Sequence, residues 1–243
     1  MKPTTRLFAR EYVWCDLDAN NEEDLERFKS LMFLNDNRKI AIIEDSNPEV
    51  ARIILTREWQ GHPDEARQML DRISDKWPNG KRVKFIITPG GFLQFDWPCT
   101  LGRNEIGDNK SPNSGAVNCL VEEAKKCANY ALDDGIREKL LQFADYITFG
   151  VDSRKNKVST THNYIGQLHA ELVILVDLKN KGVYWSGKSY PTTSQQHGLV
   201  RIMDLATHFF DLDVGKTMVL GCHDLTVFNP RSKNAVGWRK KSK

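Results

Sequence analysis

Residues 169–188 read HAELVILVDLKNKGVYWSGK, and this stretch decides the fold. His169–Leu178 is a long aliphatic, β-branched run, which predicts a strand. Asn180-Lys181-Gly182 is a hairpin turn, and Val183–Trp185 returns as the second strand. Upstream, Arg82–Thr88 and Asp145–Val151 read as further strands. Helices are predicted at Pro63–Trp77, Ala116–Leu132 and Ile136–Phe143. The first carries Ala66, Met69, Leu70 and Ile73 on one face and stops at Pro78-Asn79-Gly80.

Nearer the N-terminus, residues 6–14 and Lys39–Ile43 read as strands, and Asn21–Leu34 and Glu49–Arg57 as helices. Downstream, Leu199, Ile202, Met203, Leu205 and Ala206 predict a helix over Gln195–Phe210. Thr217–Leu220 follows as a final buried strand, and Thr100–Gly115 is the longest loop. Strands alternating with helices predict an α/β layered sandwich of mixed β-sheet flanked by helices. The expectation is one domain over residues 1–228 with a basic tail at 229–243.

The balance of charge narrows the function classes. Lys and Arg number 35 against 32 Asp and Glu, yet Asn229–Lys243 holds six of the basic residues and no acid. The remaining body is mildly acidic, which disfavours a nucleic-acid binder except through the tail. No apolar run reaches the roughly 18–20 residues of a membrane span, and the N-terminus lacks a signal-peptide core. Five cysteines, with no CxxC spacing, argue against a disulfide framework or a zinc knuckle. These features predict a cytoplasmic protein with reduced thiols, acting on a small-molecule substrate, with no cofactor and with a homo-oligomer as one possible state.

Three clusters carry candidate chemistry. Gly221-Cys222-His223-Asp224 ends the predicted last strand, where α/β folds present reacting groups to a cleft. Cys222 there is a candidate nucleophile, if a neighbour takes its proton; otherwise it is core filling. In Trp185-Ser186-Gly187-Lys188-Ser189-Tyr190-Pro191, Lys188 is placed to stabilise a thiolate or oxyanion, the alternative being a solvated loop lysine. Gly187-Lys188-Ser189 is no P-loop, because the earlier glycine is missing. In the third cluster, His169 and Glu171 are two apart on a strand and share a face, with Asp152 and His162 as further members.

The order of these pieces resembles the nitrilase-like carbon–nitrogen hydrolase superfamily over residues 145–231. The matching segments are Phe149-Gly150-Val151, Leu172–Asp177, Lys181-Gly182, Val183–Lys188, Cys222-His223-Asp224 and Phe228-Asn229-Pro230-Arg231. The resemblance implies a Glu–Lys–Cys mechanism with Cys222 attacking a nitrile or amide carbon and Lys188 stabilising the intermediate. It implies substrate contacts from His223, Asp224, Tyr190, Asn229 and Arg231. The family's Pro-Glu step is replaced by Pro89-Gly90-Gly91 after the matching strand. Either Glu171 or Asp152 substitutes as the acid/base, with Glu171 assigned here, or the chemistry is lost. The family's strands beyond the cysteine need more than the 21 residues that follow Cys222, so the expectation is either a piece of a longer protein or a trimmed fold.

Two other readings stay open. Gly221-Cys222-His223-Asp224 is close to the Gly-Asn-His-Asp step of metallophosphoesterases, with His169, Glu171, Asp152, His223 and Asp224 as the ligand pool. A catalytically degenerate binding module is the other, using the aromatic patch Phe92, Phe95 and Trp97 and the 100–115 loop as its surface.

Overall fold

The structure, a computed structural model, describes residues 50–55, 59–154, 167–192, 195, 197–221 and 224, and the backbone of residues 5–9, 13–17 and 40–44. The expected helix at Asn21–Leu34, His162, Cys222, His223, Asn229, Arg231 and the basic tail lie outside the described residues. The chain is α/β, with a mixed sheet and several helices. Its contacts group into two compact units, each assembled from three segments.

The first unit comprises Met1–Phe92, Asn129–Phe149 and Leu175–Gly182. Its strands are β1 (Thr5–Ala9), β2 (Val13–Leu17), β3 (Ile40–Glu44), β4 (Val50–Leu55), β5 (Val83–Ile87) and the first part of β9 (Ala144–Ser153). β2, β1, β3 and β4 pair antiparallel in that order, then β4, β5 and β9 pair parallel. The change of direction follows from the connections. A parallel neighbour needs a crossover, and α1 (Pro63–Asp75) supplies it between β4 and β5. α1 starts on a proline and buries Ala66, Met69, Leu70 and Ile73, the four residues its spacing predicted.

α4 (Asp134–Leu141) packs against α1. Asp133 caps it by accepting from the Ile136 amide at 2.8 Å. Lys139 reaches Asp71 of α1 at 2.7 Å. In the same unit Trp59 stacks on Phe92, Phe92 on Phe149, and Phe85 on Tyr146, with centroids 5.2–6.1 Å apart.

The second unit comprises Leu93–Ala128, Gly150–Ile174 and Val183–Lys243. Here β6 (Leu93–Phe95) pairs parallel with the later part of β9, placing Gln94 opposite Asp152. β10 (Glu171–Asp177) lies between β9 and β11 (Val183–Gly187) in the sheet order. The hairpin closes as expected. Asp177 accepts the amides of Lys179 and Asn180, and Lys181 takes φ 58°, the left-handed geometry such a turn needs.

Several expectations are corrected. Val50–Leu55 is a strand, not part of a helix: Ala51 and Ile53 are buried and Arg52 between them is exposed. Its Val50, Ile53 and Ile54 also fit helical spacing, and the partners β3 and β5 decide the matter. The single strand expected at 6–14 is two strands, β1 and β2. The 100–115 loop contains α2 (Arg103–Ile106) and the pair β7 (Gly107–Asp108) and β8 (Ser111–Pro112), and its end begins α3 (Ser114–Ala131).

No α-helix forms among the described residues of Gln195–Phe210. Leu199–Ile202 is extended, and a 3-10 turn at Leu205–His208 leads into β12 (Phe209–Leu212). The expected buried strand at Thr217–Leu220 is the exposed β13 (Gly215–Met218), which pairs with β12 in a two-stranded hairpin. Phe92 and Phe95 are core residues rather than an exposed aromatic surface. No helix among the described residues is long and apolar enough to cross a membrane.

Candidate active site

The second unit brings the predicted residues Asp152, His169, Glu171, Lys188 and Tyr190 into one region. Two hydrogen bonds fix the strand register. Ser153 N donates to Ala170 O at 2.8 Å, and Lys188 N donates to Glu171 O at 2.8 Å. Glu171 on β10 therefore faces Lys188 across β11 and Asp152 across β9. Directly opposite residues share a sheet face, so Gln94, Asp152, Glu171 and Lys188 form one row of side chains across four strands.

Lys188 is not the solvated loop lysine of the alternative reading. Its side chain is 4% exposed. The ammonium donates to Glu171 Oε2 at 2.6 Å and to Gln195 Oε1 at 2.7 Å. Gln195 Nε2 in turn donates to Glu171 Oε1, closing a three-residue ring. An ammonium has three N–H groups, and these partners use two. His169 donates from Nδ1 to Gln167 O at 3.0 Å, since a carbonyl only accepts, and its Nε2 lies 4.0 Å from Glu171 Oε1.

Asp152 sits half-buried in the same row. Burial pushes its carboxyl up to about 7, and the Glu171 charge adds to the rise while Lys188 opposes it. Like charges on facing strands have this effect, because ionising the second carboxyl costs Coulomb energy.

A second network centres on Asp224. Asp224, expected among the substrate-binding residues, is fully buried and engages backbone with both oxygens. Oδ1 accepts from the amides of Ser189 and Tyr190 at 2.9 and 2.8 Å, and Oδ2 from Gly221 at 3.1 Å. Burial raises the Asp224 carboxyl against these donors and the nearby His208. Gly221 lies against Lys188: a Cβ placed on it would stand 3.6 Å from Lys188 Cγ. Gly221 thus lies against Lys188, and Asp224 is held to the two residues after it.

Ser186 and Ser189, quoted above only as neighbours of Lys188, belong to this region, as do Gln195 and His208, which the sequence places in the expected helix. His208, fully buried, stands 2.7 Å by Nδ1 from Ser186 Oγ, 2.8 Å by Nδ1 from Val219 O, and 2.9 Å by Nε2 from Ser189 Oγ. Val219 O only accepts, so Nδ1 donates to it. Ser189 gives its own hydrogen to Ile202 O and so accepts from Nε2. Both ring nitrogens of His208 are thus engaged, and the ring lies near the Asp224 carboxyl.

Gly198 has the tightest backbone fit of the region. A Cβ there would stand 2.2 Å from Gln167 O and 3.2 Å from His169 Nδ1. Gly198→Ala is expected to lose roughly 2–3 kcal/mol in a urea titration, because backbone must shift to admit the methyl. A change below about 0.5 kcal/mol would mean the Gly198–Gln167 approach is looser than described.

The metal-ligand pool does not assemble among the described residues: no three His, Cys, Asp or Glu side chains converge. Asp224 turns to Ser189 and Tyr190, and Glu171 already holds a cation, the Lys188 ammonium. Three cysteines with described side chains are free thiols: Cys99 is exposed, Cys119 half-buried and Cys127 buried. Burial raises the Cys127 thiol to about 11, which makes it inert core filling. No family model matches the chain, and no curated protein shows significant similarity to it.

Proposed function

We propose that the chain is a thiol-dependent hydrolase of amide or related C–N bonds, with Cys222 as nucleophile, Lys188 as oxyanion stabiliser and the Glu171–Asp152 carboxylates as the acid/base pair. One observation supports this reading: a buried ammonium aimed by Glu171 and Gln195, with Gly221 against Lys188 and Asp224 bonded to the Ser189 amide. A lysine fixed in this way is preorganised, so it stabilises developing negative charge without the cost of reorienting. Its third N–H is the donor for the substrate oxygen.

The reaction is acyl transfer. The Cys222 sulfur bonds to the carbonyl carbon as the C=O electron pair moves onto oxygen beside Lys188. Collapse of that oxyanion breaks the C–N bond, and the amine leaves with a proton. Water then hydrolyses the thioester and returns the thiol. The nitrilase-like arrangement, a reducing cytoplasmic setting and a small-molecule substrate belong to this same reading.

The test is ammonia release from a panel of short primary amides and nitriles. Wild type is expected to turn over at least one class, with Cys222→Ser and Lys188→Met each reducing the rate at least about 1,000-fold. Equal turnover in wild type and Cys222→Ser would overturn the reading.

A further inference from the structure

Among the described residues, five large hydrophobic side chains are exposed: Tyr130, Met203, Phe209, Val214 and Met218. Three of them, Phe209, Val214 and Met218, belong to the β12–β13 hairpin and its turn. A single exposed apolar residue is ordinary, but a cluster on one small element marks an interaction surface.

The register divides this hairpin into two faces. Phe209 stands opposite Met218, and Asp211 opposite Lys216. These pairs alternate with Phe210 opposite Thr217 and Leu212 opposite Gly215, so the two sets of side chains point to opposite faces. The second set is the inner one: Phe210 is buried, and its ring meets that of Tyr184 on β11 with centroids 5.4 Å apart. The first set is turned outward. Phe209 is 50% and Met218 45% exposed, and Asp211 and Lys216 are exposed beside them. The outer face therefore carries an apolar pair and then, toward the turn, an acid beside a base.

This pattern is complementary to itself. A two-fold axis lying in the plane of contact, parallel to the strands and midway between them, places each residue over its own cross-strand mate in the other copy. Phe209 then meets Met218, and Asp211 meets Lys216, each contact occurring twice. An axis running across the strands would instead set Phe209 on Asp211 and Met218 on Lys216, covering charges with apolar groups. The charges thus select the first arrangement. A partner of uniform charge would oppose either the acid or the base, whereas a second copy supplies both at the matching spacing.

We propose that the outer face of the β12–β13 hairpin is a dimerisation surface, joining two copies of this chain face to face about an axis parallel to its strands. The surface is independent of the hydrolase reading. Two apolar and two charged residues from each copy make a small contact, at the low end of specific interfaces, so the dimer forms reversibly.

The experiment is sedimentation velocity of the full chain from about 1 to 100 μM. The samples are wild type, Asp211→Lys, Lys216→Asp, an equimolar mixture of those two variants, and Phe209→Ser. Wild type is expected to pass from monomer to dimer across this range. Asp211→Lys makes both charged positions of the face basic and Lys216→Asp makes both acidic, so each alone should associate at least about tenfold more weakly. Their mixture should recover the dimer, because each acid again meets a base across the axis. Phe209→Ser should weaken association by about tenfold or more. The two charge variants alter only exposed positions, and they decide the matter if Phe209→Ser unfolds.

Wild type that stays monomeric at the highest concentration overturns the inference. A dimer that neither charge variant weakens also overturns it, because the contact then lies elsewhere. Failure of the mixture to recover a dimer that each variant alone has lost overturns it as well, because Asp211 and Lys216 then do not face each other across the axis.

Discussion

Replacing Lys188 with methionine is expected to cost roughly 2–3 kcal/mol of stability at pH 8, and less at pH 5. The methionine keeps the aliphatic bulk of a side chain that is 4% exposed, so packing changes little. What is lost is the only cation in a row holding Glu171 and Asp152. Removing one partner of a buried ion pair strands the other, typically at about 3–5 kcal/mol. Glu171 is 26% exposed, so water takes part of that cost. As pH falls through about 7, Asp152 takes up its proton and the penalty shrinks. Lys188→Met combined with Glu171→Gln should recover more than half of the loss, because the stranded charge is gone. A pH-independent loss, unrelieved by the second substitution, would mean the row is not electrostatically coupled. Urea midpoints at the two pH values measure this directly.

Asp152→Asn is expected to act in the opposite direction. The Asp152 carboxyl is raised from 3.8 to about 7 in the folded chain. Between those values the folded state binds more protons than the unfolded one, so stability falls as pH rises through the window. Each tenfold difference in proton affinity between the two states corresponds to about 1.4 kcal/mol. With partial solvent screening, the loss from this group approaches about 3 kcal/mol by pH 8. Asparagine mimics the protonated acid and carries no such dependence. Its stability relative to wild type should therefore grow by about 2 kcal/mol from pH 5 to pH 8. Parallel stability curves for the two proteins would show that Asp152 titrates as an ordinary surface carboxylate. The same raised carboxyl that weakens the fold suits proton exchange near neutrality, a familiar trade at reacting sites.

The central hairpin was legible because its signals agree: an unbroken aliphatic run, a turn that needs a left-handed residue, and a returning strand. Counting back from the turn then places Glu171 opposite Lys188. The pairing of those two residues could have been read from residues 169–188 alone. α1 and α3 were legible from apolar spacing. The same signal misled over Gln195–Phe210. Leu199 and Ile202 are buried because their backbone runs beside other segments, Val200 N bonding to His169 O and Ile202 N to Lys188 O. Apolar residues three apart fit a helix equally well, and only the tertiary hydrogen bonds distinguish the two.

His208 was absorbed into that helix. Its bonds to Ser186, Ser189 and Val219 join segments whose proximity no local pattern announces. The aromatic patch failed for a related reason: Phe92 and Phe95 flank glycine-rich sequence, which suggests a loop, yet both are buried, Phe92 just before β6 and Phe95 at its end. The Lys188–Glu171 contact and the pinning of Asp224 to Ser189 concern the site more than any of these misreadings, because they fix the ammonium and the backbone beside it.

The most direct test of the hydrolase reading is therefore competitive labelling of the native chain with limiting iodoacetamide at pH 7.5. Peptide mass mapping then compares Cys222 with Cys99, Cys119 and Cys127. Cys222 is expected to be labelled at least about tenfold faster than exposed Cys99, with Cys127 unlabelled. Labelling of Cys222 no faster than Cys119 or Cys127 would contradict its assignment as the nucleophile.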